Sequence, residues 1–223
     1  MVGWLELICG SMYCGKSEEL IRRLKRVKIA GQKYQLFKPS LDDRYGVNHV
    51  ATHDNNELKI TIEEILDLHF SGGINHREVL MEELIKQLPG SMEATIVANS
   101  NMILDLVKND TLVIGIDEIQ FFDSNIIIVV DELIKQGKRV ITAGLDMYCS
   151  GIPFNSVDIL ACKAKYIDKL HAVCIDCGKD ALYSFNINDY ESNIKNVINV
   201  GSVGKYIALC ENCRDIRLKN WKT

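Results

Sequence analysis

The sequence of 223 residues predicts an α/β fold, with helices flanking a mainly parallel sheet, and a small second unit at the C-terminal end. Three observations lead to this prediction. A short apolar run, Leu5–Cys9, passes through a glycine-containing turn into a helical pattern. Strand-like and helix-like segments then alternate, as they do in βαβ units. After Pro153 the pattern changes, and two C-x-x-C pairs flank strand-like segments. We therefore predict domains at residues 1–165 and 166–223.

Each element of the first unit is predicted from its hydrophobic spacing and from the residues that end it. Short apolar runs predict strands, whereas apolar residues spaced three to four apart predict helices. The predicted strands are Leu5–Cys9, Tyr34–Lys38, Leu112–Ile116 and Arg139–Ala143, and the predicted helices run from Ser17 to about Gly31 and from about Ser124 to Gln136. Residues 57–93 predict two short amphipathic helices, to which we assign no chemistry.

Composition narrows the class of protein. The chain is 47% hydrophobic and 25% charged, which is typical of a soluble globular protein. Its formal net charge of −4 provides no basic field of the kind that nucleic-acid binders carry. No apolar run approaches the roughly 20 residues that span a bilayer, and no signal peptide is evident. Eight cysteines in that context favour reduced thiols and metal sites. We expect a cytoplasmic protein that binds neither membrane nor nucleic acid.

The turn after the first strand matches G-x-x-x-x-G-K-[ST], the phosphate-binding loop. A strand before the loop and a helix after it direct backbone N–H groups and a helix N-terminus at an anion. Lys16 would reach the outer phosphates of ATP, and the Ser17 hydroxyl would bind Mg²⁺. The loop consists of Gly10, Ser11, Met12, Tyr13, Cys14, Gly15, Lys16 and Ser17.

A phosphate-transfer site also needs a carboxylate at the end of a neighbouring strand. The segment "LVIGIDE" provides one, because its apolar residues lead directly into Asp117 and Glu118. Asp117 is the candidate on the metal side, acting through a water molecule. Glu118 is then available as a base toward an acceptor hydroxyl or toward water, so the residues alone leave a kinase and a hydrolase open.

Two thiol pairs, Cys174 with Cys177 and Cys210 with Cys213, predict a structural Zn²⁺ site with four thiolates. The interval between the pairs is longer than in the usual zinc ribbon. A redox role is the alternative, but no thioredoxin-like context surrounds either pair. Arg44 in "DDRYG" fits either a charge-stabilising role or a surface ion pair, and His53 in "THDNN" fits a structural role best.

Taken together, these residues resemble the zinc-containing (type II) thymidine kinases. The motifs that carry the resemblance are "GSMYCGKS", "DDRYG", "THDNN", "IDEIQFFD", "AGLDMYCSGIPF", "AVCIDCG" and "VGSVGKYIALCENC", in family order. The resemblance implies a RecA-like P-loop domain, a zinc-containing lasso domain and a homotetramer. It also implies phosphoryl transfer from MgATP to thymidine or deoxyuridine, giving the 5′-monophosphate and ADP, with thymidine triphosphate as a feedback inhibitor.

The resemblance assigns site residues by position. Glu118 would be the base for the 5′-hydroxyl, with Lys16 and Arg44 stabilising the transferring phosphoryl group. Asp117 and Gln120 join the loop in binding ATP and Mg²⁺. The residues implied around the nucleoside are Met12, Phe121, Leu145, Phe154, Ser184, Gly201 and Tyr206.

Three departures from the family pattern are visible. Cys149 stands where the family often has an aromatic residue, which puts strict thymine selectivity in question, and Gly204 replaces a commonly acidic residue. Residues 57–93 resemble an insertion.

Two other functions are alternatives to a nucleoside kinase. One is an ATP-driven nucleic-acid motor whose zinc unit touches the nucleic acid, and the other is a zinc-stabilised binding module with a degenerate nucleotide site.

Overall fold

A computed structural model describes residues 2–41, 49, 50, 91–195 and 204–221. Arg44, His53 and Gly201 lie outside the described residues, as do positions 57–90 of the predicted insertion. No helix among the described residues is long and apolar enough to cross a membrane.

The larger part of the chain is built around a six-stranded sheet in which every pair of neighbouring strands is parallel. Its strands are β1 (Trp4–Gly10), β2 (Tyr34–Pro39), β5 (Thr95–Val97), β6 (Val113–Ile116), β7 (Arg139–Leu145) and β8 (Tyr166–Leu170). Their order across the sheet is β5-β2-β6-β7-β1-β8. The short strands β3 (His49–Val50) and β4 (Met92–Glu93) pair with each other, separately from this sheet. The predicted mainly parallel sheet is confirmed.

Helices cover both faces of this sheet. They are α1 (Lys16–Ile29), α2 (Asn101–Leu106), α3 (Ile126–Lys135) and α4 (Asn155–Lys163). The apolar face of α1 packs on Ile8 and Ile141, whereas α3 and α4 pack on the opposite face with Leu5, Leu7 and Ile114. Strands of a parallel sheet covered on both faces are apolar throughout, which is why the inner strands β1, β2, β6 and β7 were predicted from short apolar runs.

The four predicted strands and the two predicted helices outside residues 57–93 agree with the structure to within two residues at each end. The sequence reading missed β5, α2, α4 and β8, which are short or have weak patterns. β8 pairs with β1 over Tyr166–Leu170. The main sheet therefore continues five residues beyond the predicted boundary at 165/166.

The described residues of the C-terminal unit form two small antiparallel ribbons, a 3₁₀ turn (Glu191–Asn193) and a helix. β9 (Ala172–Val173) pairs with β10 (Asp180–Ala181), and β11 (Tyr183–Asn186) pairs with β12 (Tyr206–Leu209). The helix α5 (Glu211–Asn220) follows. Phe185 and Leu209 are fully buried in its core, together with small residues and two of the cysteines.

Candidate active site and cysteine cluster

The phosphate-binding loop occupies the end of β1 and the beginning of α1, as predicted. Gly10 has a φ of +146° and lies close to β8, because a Cβ at this position would be 2.2 Å from the Leu170 carbonyl oxygen. Gly15, with a φ of +84°, precedes the first residue of α1. Both glycines therefore adopt backbone geometry that other residues rarely adopt. Lys16 Nζ donates to the Ser11 carbonyl oxygen at 2.7 Å, so the loop folds around this side chain.

The structure brings Asp117 to this loop from a different strand. Asp117 follows β6 directly, is buried, and receives a hydrogen bond from the Ser17 hydroxyl at 3.0 Å. Its backbone N–H donates to the carbonyl oxygen of Phe37 in β2, which fixes the strand end. A hydroxyl and a carboxylate at this separation are oxygen donors of the type that binds Mg²⁺. The residues present therefore fit a metal bound with ATP.

Glu118 has a left-handed backbone conformation, with φ 50° and ψ 45°. For a residue with a side chain this conformation costs roughly 1–2 kcal/mol, and such strain concentrates at functional sites. The conformation turns the chain from β6 into a single 3₁₀ turn, Ile119–Phe121. Glu118 itself is half-buried and lies at the loop end of the sheet.

Gln120 links Glu118 to β7. Its amide nitrogen donates to the Glu118 carboxylate, and its amide oxygen accepts from the Leu145 backbone N–H at 3.0 Å. Gln120 is buried. These contacts orient the Glu118 side chain, a role that the sequence reading did not assign to Gln120. Its predicted role toward ATP and Mg²⁺ stays a prediction.

Because Gly144 has no side chain, the Gln120 side chain has room to pack against the backbone of β7. A Cβ at Gly144 would be 2.4 Å from Gln120 Oε1 and 2.6 Å from Ile119 Cγ2. We expect Gly144→Ala to lower the free energy of unfolding by about 1–3 kcal/mol and to reduce the turnover number by displacing Glu118. Thermal unfolding and steady-state kinetics measure the two effects.

Gly31→Ala is the matched control for that variant. Unlike Gly144, Gly31 has a positive φ, of 68°, so an alanine there strains the backbone, but its Cβ would meet nothing within 4 Å. It should lose some stability and keep its turnover number. Equal turnover numbers in the two variants would contradict the Gln120 link.

Three consecutive loop residues hold the C-terminal unit against the main sheet. The Ser11 hydroxyl donates to the Ala181 carbonyl oxygen at 3.1 Å, and the Met12 N–H donates to Ser184 Oγ at 2.9 Å. The Tyr13 hydroxyl donates to the Tyr206 carbonyl oxygen at 3.0 Å. Tyr13 also has a left-handed backbone, with φ 67°. The phosphate-binding loop is therefore a shared boundary between the two parts of the chain.

The structure brings together some of the residues implied around the nucleoside. Leu145 contacts Gln120 through its N–H, and Met12 contacts Ser184. Phe154 is buried and stacks on Tyr148, with ring centroids 3.8 Å apart. Phe121 is half-buried, and Tyr206 is buried.

Four cysteines from two turns converge in the C-terminal unit. The Sγ atoms of Cys174, Cys177, Cys210 and Cys213 all lie within 4.8 Å of one another. A tetrahedral ZnS₄ site with Zn–S bonds of about 2.3 Å has S–S edges of about 3.8 Å, and the Cys177–Cys210 separation is 3.6 Å. The four thiols therefore fit a structural Zn²⁺ ion without a large rearrangement.

Hydrogen bonds in the cluster favour the thiolate form of Cys174 and oppose that of Cys213. Burial opposes ionisation of Cys174, but backbone N–H groups, among them those of Cys210 and Asp176, lower its pKa to about 6. A hydrogen bond with the Cys210 side chain, together with burial, raises the pKa of Cys213. Without a cation, one thiolate therefore suppresses ionisation of its neighbours, and a bound divalent cation would remove that conflict.

Cys149, at the position where the family often has an aromatic residue, is half-buried. Burial raises the pKa of its thiol to about 11, so it remains protonated at neutral pH. Its carbonyl oxygen accepts hydrogen bonds from Arg214, a residue that the sequence reading did not single out.

Comparison with known proteins decides the family. The family model described as thymidine kinase matches residues 3–81 and 74–214 of this chain. The chain belongs to the thymidine kinase family. A thymidine kinase of Rhodothermus sp. (strain ITI 518) is 36% identical over 212 residues, which are 95% of this chain and 81% of that protein.

Further thymidine kinases give similar values. That of Bacteroides fragilis (strain ATCC 25285) is 38% identical over 95% of this chain and 86% of its own length. That of Porphyromonas gingivalis (strain ATCC BAA-308 / W83) is 36% identical over 95% and 84%. The family predicted from the sequence motifs is thus confirmed, and membership in the thymidine kinase family identifies the chain as an ATP-dependent nucleoside kinase.

Proposed function

We propose that this protein transfers the γ-phosphoryl group of MgATP to the 5′-hydroxyl of thymidine, and of deoxyuridine, in nucleotide salvage. One observation carries the proposal within this family. The phosphate-binding loop, the Ser17–Asp117 hydrogen bond and the strained Glu118 all lie at the same end of the parallel sheet. This end is where open α/β sheets bind ligands.

The donor side of the site is the loop together with Asp117. Backbone N–H groups of the loop and Lys16 bind the phosphates of ATP, and Ser17 with Asp117 holds Mg²⁺. The ion would neutralise charge on the phosphate oxygens. Arg44, outside the described residues, is proposed to stabilise the transferring phosphoryl group on the basis of the family motif alone.

On the acceptor side, Glu118 takes the proton of the 5′-hydroxyl. The hydroxyl oxygen bonds to the γ-phosphorus as the bond from that phosphorus to the bridging oxygen breaks, so ADP leaves and Glu118 holds the proton. The half-buried position of Glu118 and its hydrogen bond from Gln120 support this role. A fixed base of this kind typically contributes about 10²–10⁴-fold in rate.

The nucleoside is proposed to lie against Met12, Phe121, Leu145, Phe154, Ser184, Gly201 and Tyr206. Ser184 is the most constrained of these, because its oxygen already accepts from the Met12 N–H. Its own hydroxyl hydrogen remains the group that would donate to a thymine carbonyl.

Four further properties belong to the proposal on the strength of the family resemblance. They are a structural Zn²⁺ on the cysteine cluster, a homotetramer, feedback inhibition by thymidine triphosphate, and a cytoplasmic location without nucleic-acid binding. The fit of the four thiols to a tetrahedron supports the first. A nucleic-acid motor is not favoured, because family membership points to a nucleoside acceptor.

A panel of acceptors tests the proposal. Zinc-loaded protein is incubated with MgATP and thymidine, deoxyuridine, deoxycytidine or deoxyguanosine, and each monophosphate is separated and quantified. We expect rapid product from the first two and little from the others. No monophosphate from folded, zinc-loaded protein would refute the proposed function, and DNA-stimulated ATPase activity would then favour the motor.

A further inference from the structure

Arg214 extends from the cysteine unit to two distant loops. It lies in α5 immediately after Cys213, and its guanidinium donates to the Cys149 carbonyl oxygen from Nε at 3.3 Å and from Nη2 at 3.2 Å. Nη2 also donates to the carbonyl oxygens of Ser150 at 3.0 Å and Asn193 at 3.2 Å. The partners lie 21 to 65 positions away along the chain.

The ring of Tyr183 holds the same guanidinium from one face. The Arg214 Cζ atom lies 4.7 Å from the ring centroid, a distance at which a cation attracts an aromatic face. Gly151 packs against the edge of the ring, since a Cβ there would be 3.1 Å from Tyr183 Cε1. Arg214 therefore contacts the loop that contains Cys149, Ser150 and Gly151 in two ways. It donates hydrogen bonds to carbonyl oxygens of the loop, and it packs on Tyr183, which in turn contacts Gly151.

This environment is unusual for an arginine. The side chain is only 13% exposed, and its carboxylate contact, with Asp215, is 3.8 Å long. Within the part of the chain that the structure describes, the shorter contacts are all with main-chain carbonyls, which accept hydrogen bonds without neutralising the charge. Such an arginine fixes backbone geometry, and its planar donor array suits several carbonyls at once.

Both loops lead to the proposed nucleoside pocket. The loop at 148–151 lies between Leu145, at the end of β7, and Phe154, which stacks on Tyr148. Asn193 ends a turn and joins it to β11, the strand that carries Ser184, because its side chain bonds the backbone of Asn186 in that strand and of Asp189.

We propose that Arg214 is a positioning residue for the nucleoside: it ties the helix of the cysteine cluster to the loop at 148–151 and to the turn that ends at Asn193. This inference rests on the proposed function, since it assigns the two loops to nucleoside binding. Arg214 does not touch the transferred group. Its removal should weaken nucleoside binding and leave ATP binding intact.

Arg214→Met tests the proposal by keeping length and apolar contact and removing every donor. We expect the KM for thymidine to rise about tenfold or more, as for the loss of hydrogen bonds from a charged donor. The KM for ATP should stay within about twofold. Arg214→Lys should recover part of the loss, because an ammonium group offers donors without the planar fork.

Lys219→Gln is the matched control. Lys219 is exposed in the same helix, and this change removes the same charge. Zinc content by elemental analysis should equal that of the wild type in all three variants. Hydrogen exchange should quicken at 146–154 and 186–195 in Arg214→Met alone, a readout that does not depend on activity.

The outcomes separate the two proposals. Unchanged exchange at both loops, an unchanged KM for thymidine, or equal increases in both KM values would overturn the role of Arg214. If Arg214→Met does not fold, Arg214→Lys is measured in its place. Wild-type KM values and wild-type hydrogen exchange in Arg214→Lys would then overturn the role of Arg214. A wild-type protein that phosphorylates no nucleoside refutes the proposed function, and the exchange data then still decide whether Arg214 fixes the loops.

Discussion

Glu118→Gln is expected to lower the turnover number by about 10²-fold or more while ATP binding is retained. The amide keeps the size of the carboxylate but cannot accept the proton of the 5′-hydroxyl. The Gln120 amide can donate to a side-chain oxygen at position 118 in both the wild type and the variant, so the local structure should persist. The loss should therefore appear in the chemical step.

The measurement combines single-turnover kinetics with titration of MgATP by calorimetry. Glu118→Asp is the control, because it keeps a carboxylate but withdraws it by one methylene group. It should fall between the wild type and Glu118→Gln. Near-normal turnover in Glu118→Gln would remove Glu118 as the base. Loss of MgATP binding would instead assign Glu118 to the metal together with Asp117.

Cys174→Ser should lose the zinc ion, unfold the C-terminal unit and abolish thymidine phosphorylation. Cys174 is 1% exposed, and its Sγ is one corner of the four-thiol cluster. Zinc bound by thiolates in a small unit stabilises it by on the order of ten kcal/mol. The apolar core of this unit is small, so the metal is expected to supply much of its stability.

The effect should extend beyond the cluster because the loop and the C-terminal unit share hydrogen bonds. Ser11, Met12 and Tyr13 lose their partners if β10–β12 unfold. We therefore expect weaker ATP binding as well as loss of nucleoside binding. This result would distinguish a metal that supports both substrates from one that stabilises a peripheral module.

Cys162→Ser is the matched control for Cys174→Ser. Cys162 lies exposed in α4, away from the cluster. Elemental analysis, circular dichroism and ATP titration should give wild-type values for this variant. A full complement of zinc in Cys174→Ser would refute the ligand set. Normal ATP binding in an unfolded C-terminal unit would refute the coupling through the loop.

Features coded by neighbouring residues were predictable. The phosphate-binding loop and the Asp117-Glu118 pair each occupy a few consecutive positions, and buried parallel strands have a clear apolar signal. Their meeting at one edge of the sheet follows from parallel topology. The two C-x-x-C turns are local as well, and four thiols in two such turns predict that they converge on one tetrahedral site.

Features that depend on distant partners were not predictable. Gln120 was assigned to ATP and Mg²⁺, but its contact with Leu145 depends on how β6 and β7 pair. Nothing near Arg214 in the sequence reveals that its partners are carbonyl oxygens at 149, 150 and 193. β8 was missed because an edge strand with mostly exposed side chains lacks the continuous apolar run of the inner strands.

The ratio of ADP to thymidine 5′-monophosphate shows whether the phosphoryl group is transferred to the nucleoside or to water. Zinc-loaded wild-type protein is mixed with MgATP and thymidine, and both products are quantified over the same time course. We expect equal amounts of the two, formed only when thymidine is present, because Glu118 is proposed to activate the 5′-hydroxyl and not water. ADP without the monophosphate would contradict this proposal and would make the same site an ATP hydrolase.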